Sequence, residues 1–139
     1  MEGAEPVPFL VRLARDAAWA PVSVLILHEV AARSFGHEPY VDPVMHVLGG
    51  MAAAFFLRYA SSIAGRWLGA PSATALNLLA FGLTCAVALA WELAEFASDQ
   101  YLGTRAQRDL GNSMRDLVLG VSGAIAYLAI RRLLRGPRG

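Results

Sequence analysis

Apolar residues along this chain come in long runs separated by short polar stretches. The longest, ATALNLLAFGLTCAVALA from Ala73, carries no charge before Glu92. About 20 mostly apolar residues are enough for a helix to cross the hydrocarbon core of a bilayer. Hydropathy predicts about four such spans, over residues 13–32, 43–64, 73–97 and 114–134. Asp16, Pro21, His28 and Glu29 interrupt the first, and Pro21 should kink it. Arg58 falls inside the second and must snorkel or find a partner.

The segments SFGHEPYVD, GRWLGAPS and QYLGTRAQRDLGNS between the spans are rich in glycine, proline and polar residues, as connections are. Ahead of the first span, PVPFLVRLARD predicts a short interfacial helix. Phe9, Leu10 and Leu13 would share one side, and Arg12 and Arg15 another. The expected fold is all-α: one integral membrane domain over residues 1–139, an up-down bundle of about four transmembrane helices behind a short N-terminal interfacial helix.

Composition agrees. Of 139 residues, 56% are hydrophobic and 17% charged, where a soluble domain carries about 25% charge. The net charge of +1 and the lack of a basic stripe leave no expectation of nucleic acid. The start of the chain is acidic and proline-bearing, unlike the basic head of a cleavable signal peptide. The single cysteine, Cys85, reads as a small packing residue, and His37, in the GHEPY loop, as solvated. Every basic residue is arginine. Arg12, Arg15, Arg66, Arg131, Arg132, Arg135 and Arg138 fall on one side of the predicted membrane, and Arg33, Arg105, Arg108 and Arg115 on the other. The positive-inside rule then places both termini in the cytoplasm.

The polar residues within the apolar pattern carry the candidate chemistry. At 100° per residue, Glu92, Glu95 and Asp99 fall within about 60° of one helix face. Carboxylates so placed repel one another and are costly in hydrocarbon, so something must compensate them. In an up-down bundle they share a membrane face with His28 and Glu29, with Asp42 and His46 one turn apart, and with Gln107, Asp109, Asn112 and Asp116. The expected site is a divalent-cation site at the outer end of the bundle, with Asp42, His46, Glu92, Glu95, Asp109 and Asp116 as ligands. Oxygen donors suit Mg²⁺, Ca²⁺ or Mn²⁺, and an imidazole admits Zn²⁺ or Fe²⁺. Glu92 or Glu95 would be the general base toward a metal-bound water, and Asp99, Asn112, His28 and Gln107 supporting groups.

Two other readings stand beside this one. The layer is a structural network satisfied by Arg105, Arg108 or Arg115, in a non-enzymatic subunit of a larger membrane complex or a homo-oligomer. Or it relays protons or ions. Gly49, Gly50, Gly120 and Gly123 read as close-packing positions, and Trp19, Trp67 and Trp91 as interfacial or packing aromatics.

The motif order resembles a known group. Asp-x-x-x-His at Asp42 and His46 is followed by Glu-x-x-Glu at Glu92 and Glu95. Gln-x-Asp-x-x-Asn-Ser-x-x-Asp then runs from Gln107 to Asp116, ahead of Gly-x-x-Gly at Gly120 and Gly123. Over Asp42 to Ala124 this resembles the small bacterial membrane proteins of the YjdF and VanZ-like type. The chain departs from them at Glu95, where the VanZ-like pattern has glutamine, at Pro43, where it has a basic residue, and at Asn112, where the YjdF-like pattern has an acid. The resemblance implies a bacterial inner-membrane protein in contact with lipid, and supplies architecture more than chemistry.

Overall fold

The computed structural model describes residues 8–35, 40–65, 67–107 and 109–135, which form five helices and no strand. They are α1 (Phe9–Asp16), α2 (Trp19–Phe35), α3 (Val41–Ile63), α4 (Ala73–Leu102) and α5 (Leu110–Leu134). Helices α3, α4 and α5 are long and apolar enough to cross a membrane. Helix α2 has 17 residues, about 25 Å of rise, against a hydrocarbon core of about 30 Å. His37, Arg66, Arg108 and Arg138 lie outside the described residues.

The chain breaks between α1 and α2, so the kink expected of Pro21 takes the form of a break one turn earlier. In a continuous helix the proline ring would strike the carbonyl of Ala17, four residues back. The turn closes instead with the N–H groups of Ala17 and Ala18 both donating to the Leu13 carbonyl at 3.1 Å. Pro21 then sits in the first turn of α2, where a missing N–H removes no helical bond. On α1, Phe9 and Leu13 are half-buried while Arg12 and Arg15 are exposed. Leu10, of the same apolar set, is 73% exposed on the protein surface. The Phe9 ring packs on Trp67 at 5.2 Å and ties α1 to the α3–α4 connection.

Helix α3 is the centre of the bundle and packs against every other helix. Its closest neighbour is α5, which runs parallel to it. A Cβ on Gly50 would lie 1.9 Å from the Gly120 carbonyl oxygen, and one on Gly123 would lie 2.1 Å from that of Val47. Only glycine permits backbones this close, the device by which membrane helices pack without large side chains. Gly49 differs from these close-packing positions: a Cβ there would meet nothing within 4 Å.

The core is correspondingly small-residued, with Ala54, Ala80 and Ala124 fully buried. Leu78, Val118 and Leu133 are exposed, as expected of a surface that faces lipid. Cys85 is a half-buried free thiol. Among the described residues the backbones of α2 and α4 stay more than 8 Å apart, which leaves a gap between the two backbones beside α3.

The ends of α4 and α5 have local causes. The Ser72 hydroxyl accepts from the Ala75 N–H at 3.2 Å and starts α4. Gly103, in the left-handed region at φ +68°, ends it. Arg58 is buried in α3, and its Nε donates to Asn77 Oδ1 at 2.9 Å. Nearby in the fold, Asp16 accepts from the Tyr59 hydroxyl at 2.5 Å and from Arg15 Nε at 2.6 Å.

Candidate functional site: an acidic pocket at one end of the bundle

The Gly50–Gly120 approach sets the register of the site. One turn before each glycine stand His46 on α3 and Asp116 on α5. Parallel helices in contact at the glycines bring these two side chains together, with His46 Nε2 3.7 Å from Asp116 Oδ2. Asp42, one further turn along α3, adds its Oδ1 at 3.4 Å from the same nitrogen. One ligand atom each from Asp42, His46 and Asp116 lie within 4.8 Å of one another. Both separations exceed those of a well-formed hydrogen bond.

The outer oxygens of the two carboxylates are held by Arg115. Its Nη2 lies 3.3 Å from Asp42 Oδ2, and its Nε 3.2 Å from Asp116 Oδ1. Nη2 also donates to Asn112 Oδ1 at 2.9 Å, and the Asn112 amide donates to Asp116 Oδ2 at 2.5 Å. Asp116 is 2% exposed and accepts from Asn112 and Arg115, whereas Arg115 reaches the surface.

Beside this cluster lies a cavity of about 270 Å³, bounded by α2, α3, α4 and α5. Helix α2 contributes Pro21, Val24, Leu25 and His28, a face repeating every three to four residues; α4 contributes Thr84, Val87, Ala88, Trp91, Glu92 and Glu95 in the same rhythm. The α3 wall includes His46, Gly49 and Ala53, and Asp116 closes the α5 side. Gly49 leaves room there. The cavity lining is mostly apolar, and its polar members, His28, His46, Glu92, Glu95 and Asp116, come from the same end of the bundle.

The two glutamates differ in setting. Glu92 is 5% exposed. Its carboxylate receives one long hydrogen bond, from Gln107 Nε2 at 3.4 Å, and the same amide donates to the Glu92 carbonyl at 2.9 Å. No arginine of the described residues pairs with it. Glu95 is half-buried and accepts from Trp91 Nε1 at 2.8 Å, so Trp91 orients an acid besides packing.

The remaining predicted residues stand apart from the cluster. Asp99 organises the α4–α5 connection: it accepts from the N–H groups of Ala106 at 2.8 Å and Gln107 at 2.9 Å, and from the Thr104 hydroxyl. That loop geometry delivers Gln107 to Glu92. Asp109 is exposed and caps α5, accepting from the Asn112 N–H at 2.8 Å. Glu92, Asp99, Gln107 and Asp109 line a second cavity between α4 and α5, and Glu92 alone of the predicted residues borders both. Thr84 is buried in the first cavity, its hydroxyl donating to the Ala80 carbonyl at 2.7 Å. An isolated threonine in an apolar run offers no sequence signal for such a place. The spacing of Asp42, His46 and Asp116 did.

No curated protein and no solved structure shows significant similarity to the chain. A family model does match, over residues 9–136, which takes in every helix described above and the whole of the acidic pocket. This protein is therefore a membrane protein, and it belongs to the family described as "Predicted membrane protein (DUF2238)".

Proposed function

We propose that this protein binds an amphipathic molecule in the cavity between α2 and α4 and acts on its polar head with a divalent cation held by Asp42, His46 and Asp116. The observation that carries the reading is the position of Asp116. It is a buried carboxylate facing an imidazole at the polar end of an otherwise apolar cavity, beside a gap between two helices. A lipid, with its chain along Val24, Leu25 and Val87 and its head at the acids, matches that polarity.

The donor set fits a cation. Metal bonds of about 2.1 Å at tetrahedral angles put neighbouring donor atoms about 3.4 Å apart. His46 Nε2 lies 3.4 Å from Asp42 Oδ1 and 3.7 Å from Asp116 Oδ2. Two oxygens and one imidazole nitrogen suit Zn²⁺, Mn²⁺ or Fe²⁺. Arg115 and Asn112 would hold the carboxylates in place, as partners behind metal ligands do. Such a cation supplies charge stabilisation to a phosphoryl or carbonyl head group and acidifies water. Glu92 and Glu95 lie on the cavity side, where a carboxylate serves as general base or acid.

A second reading has its own observation. Arg115 bridges Asp42 and Asp116, which supports a structural polar layer in a non-enzymatic subunit. We place the protein in a bacterial inner membrane with both termini cytoplasmic, on the arginine count and the motif order. A reporter fused near Gly103 that reads cytoplasmic would reverse that orientation.

The test of the cation is elemental analysis of the purified protein, with unfolding in detergent during titration with Zn²⁺ or Mn²⁺. Wild type should hold one equivalent and gain thermal stability on loading. Asp116→Asn should lose both effects. A metal-free wild type that Zn²⁺ and Mn²⁺ leave unshifted sinks the cation reading and leaves the structural layer.

A further inference from the structure

The end of the bundle opposite the acids holds a buried charge that no carboxylate of the described residues pairs with. Arg58 is 5% exposed, yet its hydrogen bond among the described residues goes to a neutral amide, Asn77. Among the same residues no carboxylate pairs with it. Asp16, the acid of α1, is engaged by Arg15 and the Tyr59 hydroxyl. Within electrostatic reach of Arg58 are two more guanidiniums, of Arg131 and Arg135, and the Tyr127 phenol. The packing explains why they gather. The rings of Phe55 and Tyr127 touch at 6.0 Å, and Arg58 and Arg131 follow them by about one turn on parallel helices. Arg135 is one turn beyond, at the exposed end of α5.

A buried cation flanked by like charges is expensive unless an anion completes the group. Arginine forks match phosphate oxygens in bidentate geometry. The cluster lies near the end of a membrane-spanning bundle, where lipid phosphates are found. We propose that Arg58, Arg131 and Arg135 form a phosphate-binding site between α3 and α5, which takes a phosphate group, either the phosphodiester of an anionic phospholipid or free phosphate. The buried Arg58 distinguishes this site from a diffuse basic fringe. It does not depend on the cation reading of the opposite end.

Binding of dioleoyl phosphatidylglycerol and of dioleoyl phosphatidylcholine to the full chain in detergent, followed by retention in native mass spectrometry, tests the site. Wild type should retain phosphatidylglycerol in preference to phosphatidylcholine. Arg131→Gln and Arg132→Gln remove the same charge from adjacent positions of one turn. Loss of a phosphate contact worth about 1 kcal/mol makes retention by Arg131→Gln about fivefold weaker. Arg132→Gln should stay within twofold of wild type, about 0.4 kcal/mol either way. Inorganic phosphate that displaces the lipid identifies a site open to free phosphate; failure to displace it identifies the lipid as the source. Equal retention of the two lipids, or equal loss in the two variants, would overturn the proposal, since surface charge alone would then explain the binding.

Discussion

Gly50 of α3 lies against Gly120 of α5 at a separation that admits no Cβ, since one on Gly50 would stand 1.9 Å from the Gly120 carbonyl oxygen. His46 and Asp116 each stand four residues before their glycine. The contact that packs the bundle therefore also builds the site, and the two can be perturbed together.

Gly50→Ala should destabilise the protein by about 1–3 kcal/mol, because backbone must move to admit the methyl group. It should also part His46 from Asp116 and weaken any cation binding. Gly49→Ala is the internal control. Nothing lies within 4 Å of its Cβ position, so the better helix propensity of alanine should leave stability unchanged or raise it by up to about 1 kcal/mol. Thermal unfolding of both variants in detergent reads the difference, and equal destabilisation would show that the glycine contact does not hold the two helices.

Arg115 separates the two readings of the acidic layer. In a purely structural layer, Arg115→Met removes the guanidinium beside buried Asp116 and costs about 1–3 kcal/mol. If the same acids bind a cation, Zn²⁺ or Mn²⁺ should restore most of that loss, because metal charge replaces the guanidinium. Unfolding of Arg115→Met with and without metal gives the answer. A loss that metal leaves untouched favours the structural subunit.

Glu92 is buried, and among the described residues its carboxylate receives one long hydrogen bond, from Gln107. Glu92→Gln keeps the shape and removes a poorly compensated charge, so it should stabilise the fold by about 1–3 kcal/mol. A gain in stability on neutralising an acid is the mark of a group retained for function. A loss of similar size, measured by the same unfolding, would mean that the carboxylate is satisfied where it stands.

Asp109 was expected among the ligands from its place in the motif, and the structure uses it to cap α5. Asp109→Ala should cost about 1 kcal/mol, the value of an N-cap. Metal content should be unaffected. A proportional fall in metal, with the helix intact by circular dichroism, would return Asp109 to the ligand set.

Hydropathy alone determined that the chain is a membrane-spanning helical bundle. Runs of apolar residues long enough to cross hydrocarbon have few other ways to satisfy their backbone. The spacing of Asp42 from His46, and of Asn112 from Asp116, also placed those pairs on common faces, because helical periodicity is local. Up-down topology was enough to bring the acids and histidines to one end. The partners that they chose there were not legible. Whether Arg115 would reach Asp42 or Glu92 depends on how closely and in what register α3, α4 and α5 approach, and that was decided by glycine contacts between segments some seventy residues apart in sequence. The break at Ala17–Ala18 follows from Pro21, but the gap between α2 and α4 does not follow from either helix alone. It exists because both pack on α3 while their own backbones stay apart, and a cavity is a property of the space between elements rather than of any one of them.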